Sequence, residues 1–126
     1  MSKLDHVGFS VTDYDRSRAF YDAALGAVGI KPVSDFEHEG TRYVGYGVEH
    51  GFFWVQSGGR AKGSTHVAFT AKSRSEVKAF HSIALANGGR DNGAPGLRPH
   101  YHKSYFAAFV FDPDGNNIEA VCHTPE

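Results

Sequence analysis

The stretch DHVGFSV at residues 5–11 returns as THVAFTA at 65–71, with His6 and His66 at the same place in each. A displacement of sixty residues also superposes Val7 on Val67, Phe9 on Phe69, Ala19 and Phe20 on Ala79 and Phe80, Ala24 and Leu25 on Ala84 and Leu85, and Gly29 on Gly89. These are eight identities in 26 ungapped positions, which reads as an internal duplication with module 1 over about 1–60 and module 2 over about 61–126 of a single domain.

Each copy opens on alternating residues. Val7, Phe9 and Val11 point one way and His6, Gly8 and Ser10 the other; Val67, Phe69 and Ala71 repeat the first face and His66, Ala68 and Thr70 the second. A helical pattern follows in each, over 16–25 and 76–87, with Asp13 and Ser73 placed as N-caps and Gly29 and the Gly88–Gly89 pair as stops. Short extended runs come next: KPVSDFEH, TRYVGYGV and FFWVQ in the first copy, SYFAAFVF and NIEAVC in the second. The segment GGRDNGAPGLRPHYHK, rich in Gly, Pro and Asn, reads as a loop with a short strand inside it. Each half is therefore βαβββ, and the fold class is α+β.

If the apolar face of each opening strand packs on its helix, His6 and His66 lie on the opposite face beside the small residues Gly8, Ser10, Ala68 and Thr70, as in a cavity wall. Glu119 shares a face with Asn117 and Val121 in the last strand, away from Ile118, Ala120 and Cys122. Two imidazoles and a carboxylate converging from different strands suffice for a divalent metal, with positions left for water or substrate.

LDHVGFSVTDYDRSRAFYDAALGAVGI, then THVAFTA, then FDPDGNNIEAVCH resemble, over essentially the whole chain, the vicinal oxygen chelate superfamily of glyoxalases, extradiol dioxygenases, fosfomycin-resistance transferases and bleomycin-resistance proteins. The resemblance implies two βαβββ modules curled into a cup-shaped mixed sheet and one divalent metal ion (Fe, Zn, Mn or Ni) on His6, His66 and Glu119. Glyoxalases would draw a fourth ligand from the last strand of module 1, where FFWVQ offers only Gln56; three protein ligands are expected. The activity implied is a glyoxalase-like lyase or isomerase step on a small oxygenated substrate. The alternatives are a dioxygenase, a fosfomycin-type thiol transferase, or a metal-free drug-sequestering protein. A homodimer is expected on the same ground.

Further candidates lie in RPHYHKSY. Arg98 has the planar fork to hold a substrate carboxylate or phosphate. His100 and His102 share a face if the segment is extended, and would orient substrate or bind a second metal. Tyr105 is the candidate to donate a hydrogen bond to a developing enolate oxygen. Trp54 is expected to border bound substrate, and His123 is an alternative ligand at the end of the last strand. With Lys plus Arg at 13 against 14 Asp plus Glu, and no run of like charge, nucleic acid and membrane are not expected partners. The single Cys122 reads as a buried thiol, and without an apolar leader the cytoplasm is the expected location.

Overall fold

The computed structural model describes residues 4–60, 63 and 65–126, so the expected module boundary falls beside residues outside the described set. Module 1 runs β1 (Val7–Val11), α1 (Tyr14–Gly26), β2 (Lys31–His38), β3 (Thr41–Gly47) and β4 (Gly51–Ser57). Module 2 repeats the order with β5 (His66–Thr70), α2 (Arg74–Ala86), β6 (Arg90–Leu97), β7 (Phe106–Phe111) and β8 (Asn117–Cys122). Each module forms its own mixed sheet, ordered β1-β4-β3-β2 and β5-β8-β7-β6, with β1 parallel to β4 and β5 parallel to β8. The βαβββ reading of both halves holds.

The helices start where the caps predict. The Asp13 side chain accepts from the Arg16 amide and the Ser73 side chain from the Glu76 amide. Both helices begin two residues before the apolar periodicity does, because the first turn is polar and its signal is the cap. The larger departure is β6, an eight-residue strand where a loop holding only a short strand was expected. Its register against β7 shifts between Asp91 and Gly93 and again between Gly93 and Gly96. These bulges let an edge strand absorb glycines and Pro95, which weaken or interrupt a regular ladder.

One core serves both modules. Val11, Phe20, Tyr21, Phe53, Val77, Phe80, Ile118 and Ala120 are all buried in it, and Phe53 of β4 meets Phe69 of β5 edge to face at 5.1 Å. Each sheet thus turns its apolar face onto the helices. The opposite faces, which carry Gly8, Trp54 and Gln56 on one sheet and Ala68, Phe109 and Glu119 on the other, are left uncovered within the chain.

A polar clasp joins the modules beside this core. Asp112, 1% exposed, accepts from the Tyr21 hydroxyl at 2.6 Å and the Asn116 side chain at 2.8 Å on one oxygen, and from the Asp114 and Asn116 amides on the other. Asp114 takes both the amide and the hydroxyl of Thr12, at 2.9 and 2.6 Å. Gly115, at φ 91°, closes the turn in the left-handed region that glycine enters freely. Burial beside Asp112 pushes the Tyr21 phenol well above its usual range, so it stays the donor.

Replacing Asp112 by Ala orphans four donors and is expected to cost about 3 kcal/mol; Tyr21→Phe removes one donor and is expected to cost about 1–2 kcal/mol. Urea unfolding would read both as lower midpoints at similar slope. An unchanged midpoint for Asp112→Ala would remove the clasp from the account of stability.

Candidate functional site

The uncovered face of module 2 collects the strongest group. Phe109 lies opposite Glu119 on β7, and Ala68 lies opposite Glu119 on β5, so His66, Glu119 and Phe109 share that face. His66 Nε2 stands 3.0 Å from Glu119 Oε1, with the imidazole side chain 47% exposed and the carboxylate 2%. The His66 ring also stacks on Phe109. The Tyr105 hydroxyl donates to Glu119 Oε2 in a short hydrogen bond. Partial burial, and then this bond to the carboxylate, push the Tyr105 phenol up to about 12, so near neutral pH the phenol is protonated.

The uncovered face of module 1 is different in kind. His6, Gly8, Phe36, Tyr43, Trp54 and Gln56 line an open cavity of about 390 Å³ with no carboxylate, lysine or arginine among them. His6 Nδ1 lies 2.6 Å from Asp5 Oδ2. The imidazole's hydrogen bond and charge hold the Asp5 carboxyl below its ordinary range, and both groups are exposed.

The two histidines are prepared alike. A carboxylate oxygen faces Nδ1 of His6, and the Asn117 carbonyl oxygen faces Nδ1 of His66 at 3.1 Å. Both partners only accept, so a proton on Nδ1 satisfies each contact, and Nε2 is the ring nitrogen on the other side of each imidazole. At His66, Nε2 faces a carboxylate oxygen, so a proton or a metal cation belongs between Nε2 and Oε1. This is the donor chemistry of a divalent-metal site, and the residues of module 2 fit half of one. Within one chain His6 lies on the other sheet, and among the described residues no three of His, Cys, Asp and Glu converge to hold an ion.

Several expected residues are placed otherwise than their spacing suggested. The segment at 98–105 is a turn rather than an extended run, with the Tyr101 amide donating to the Arg98 carbonyl at 3.0 Å and the Tyr105 amide to that of His102 at 3.1 Å. His100 and His102 therefore do not share a strand face: His100 packs on Tyr101, whereas His102 Nδ1 accepts from the Ser104 amide. Arg98 folds back, donating to the Gly96 and Ala94 carbonyls at 2.7 and 2.9 Å with its guanidinium over Phe109. Its terminal nitrogens are thus engaged by β6. Tyr105 points at Glu119, and the exposed His123 borders Tyr105. His81, on α2, is partly covered and pairs with Asp91 at 2.9 Å. The Asn117 carbonyl and Phe109 were not anticipated as partners of His66. For the first no side-chain pattern gives a signal; for the second the parity of β7 against β8 does.

Comparison with known proteins agrees with this architecture. The family model of the Glyoxalase/Bleomycin resistance protein/Dioxygenase superfamily matches residues 3–120. A glyoxalase/bleomycin resistance protein from Albidiferax ferrireducens is 32% identical at a TM-score of 0.77, covering 98% of this chain and 100% of that one. A glyoxalase I variant from Zea mays is 20% identical at a TM-score of 0.73; the match covers 95% of this chain, which spans 46% of the maize protein. A putative glyoxalase from Bacillus halodurans is 23% identical at a TM-score of 0.63, with 95% of each chain covered. No curated protein matches the sequence significantly. Matched over nearly its whole length, the chain belongs to the glyoxalase/bleomycin resistance protein/dioxygenase superfamily.

Proposed function

We propose that the chain is a metal-dependent enzyme acting on a small oxygenated substrate, with His6, His66 and Glu119 as metal ligands and a glyoxalase-like lyase or isomerase step as the reaction. The observation that carries this reading is the matched orientation of the two histidines, each with Nδ1 tied to an acceptor, together with Nε2 of His66 set 3.0 Å from the Glu119 carboxylate. Superfamily members typically bind a divalent metal, and imidazole with carboxylate suits Fe, Zn, Mn or Ni. The ion, when bound, supplies Lewis acidity to two neighbouring substrate oxygens.

The chain's residues do the rest. Glu119 is held by Tyr105, which makes Tyr105 a positioning residue for a ligand. Phe109 fixes one face of His66. Trp54 borders the substrate, and His100, exposed and packed on Tyr101, is the further candidate for contact with it. Because His6 and the His66–Glu119 pair lie on uncovered faces of different sheets, the complete ligand set is assembled between two copies of the chain. The site is therefore a property of a homodimer, as the unpaired outer edges of β1 and β5 permit.

Protein purified without chelator is expected to carry about one ion per chain by elemental mass spectrometry, with none in His6→Ala, His66→Ala or Glu119→Ala. Mixing the His6→Ala and Glu119→Ala chains under exchange is expected to restore about a quarter of the parental metal content, since half the dimers are mixed and each holds one intact site. Metal retained in His66→Ala sinks the ligand assignment, and no recovery on mixing places the site within one chain. A parent without metal after incubation with these ions would favour the sequestering-protein reading.

Tyr105→Phe keeps Glu119 and its backbone but frees one carboxylate oxygen. It is expected to weaken metal binding about 10-fold or more, read by competition with a chromophoric chelator. Equal affinity would remove Tyr105 from the site.

A further inference from the structure

Trp54 is the chain's one tryptophan, and three glycines make room for it. A Cβ placed on Gly45 would lie 2.6, 2.7 and 2.8 Å from Cη2, Cζ2 and Cε2 of the indole. A point almost equidistant from three consecutive ring atoms lies over the face of the ring, because an in-plane approach would leave the outer two much farther away. The indole therefore rests flat on β3. At Gly51 a Cβ would meet Cζ2 at 2.9 Å and Cε2 at 3.1 Å, and at Gly8 it would meet Cβ and the carbonyl oxygen of Trp54, both at 2.9 Å. A side chain at Gly45 or Gly51 would push the indole off the sheet, and one at Gly8 would press on the β4 backbone beneath it.

Such a seat can serve to bury a large ring, but this ring is not buried. Phe53, its neighbour on the other face of β4, is fully buried, whereas Trp54 lines the open cavity. With one indole face on Gly45, the other looks away from the sheet. Phe36 stands at its side, tilted 66° with centroids 6.0 Å apart, and Tyr43 stacks on Phe36 at 4.8 Å. The residues lining the cavity offer polar groups at His6, Gln56 and the Tyr43 hydroxyl, and none of them is a carboxylate, lysine or arginine. Its volume of about 390 Å³ suits one or two fused rings.

We propose that the uncovered face of module 1 is a stacking seat for a flat, uncharged, unsaturated ring bearing a hydrogen-bonding substituent on one edge, so that the substrate is a ring compound rather than an open-chain one. The ring lies on the free face of Trp54 beside the edge of Phe36, and its substituent meets Gln56. Use of the ring as a substrate rests on the metal-site reading; the seat itself does not.

The test uses the full chain labelled with 5-fluorotryptophan, which gives one ¹⁹F resonance. The probes are 2-naphthol and its saturated counterpart decahydro-2-naphthol, with affinities from calorimetry and metal content measured on the same samples. The expected result is an upfield shift of the Trp54 resonance with 2-naphthol alone, and binding about 2- to 10-fold tighter than that of the saturated ring. In unlabelled protein, Gly45→Ala, which lifts the indole, and Trp54→Leu should lose that preference while keeping the parental metal content. Equal affinities, or naphthol binding that leaves the resonance unmoved, overturn the proposal. So does a resonance that moves with protein concentration and not with probe, since a second copy of the chain would then cover the ring. A parent that binds no metal but still prefers 2-naphthol would reject the metal-site reading and leave the seat standing.

Discussion

Two buried carboxylates set the geometry of this molecule. Asp112 and Asp114 sit in the turn between β7 and β8, almost without solvent, and a carboxylate so placed is tolerated only when donors surround it. Some of those donors are local, from Asp114 and Asn116, but the others come from Thr12 and Tyr21 in the opposite module. Satisfying the turn therefore requires the modules to meet at this place and angle. Arg60 adds a bond to the Asp114 carbonyl at 2.6 Å. Residue 117, which begins β8 and whose carbonyl orients His66, follows directly, so the clasp that joins the modules also fixes the start of the strand carrying Glu119.

The same joining separates the halves of the site. Both sheets press their apolar faces into one core, so their open faces cannot close on each other within a chain. The duplication is symmetrical in backbone and asymmetrical in chemistry. Module 2 offers an imidazole backed by a buried carboxylate, whose second oxygen is held by a phenol. Module 1 offers an exposed imidazole on a carboxylate partner, beside an aromatic wall without charge. The proposed ion site draws on the first kind of face and the proposed ring seat on the second, so the two readings need unlike faces brought together.

Much of this was legible in the sequence where the signal is periodic. The sixty-residue repeat, the parity of the opening strands and the two caps place β1, β5 and both helices, and the parity of NIEAVC puts Glu119 on the open face. What parity cannot give is distance. Gly8 reads as space beside an imidazole, yet the space is taken by Trp54, a partner three strands on in sequence. Arg98 reads as a free fork, yet β6 supplies two carbonyls that no side-chain pattern reveals. The spacing of His100 and His102 assumes an extended chain, and a turn held by backbone bonds cancels it.

The misread segment at 90–97 bears on how two copies can meet. An edge strand with unpaired carbonyls is a template for another strand unless something blunts it. On β6 the bulges at Gly93 and Gly96 and the ring of Pro95 break the ladder, and Arg98 occupies the carbonyls of Ala94 and Gly96. On β2, at the far edge of the other sheet, Pro32 interrupts the donors and Asp35, Glu37 and His38 crowd the strand with polar groups. The remaining two edges, β1 with VGFSV and β5 with HVAFT, carry no proline, lysine, arginine, aspartate or glutamate, and they are the strands that open next to His6 and on His66. The blunted edges thus lie away from His6 and His66 and the unblunted ones beside them, so the edges open to pairing with another strand are the ones the proposed dimeric site would use.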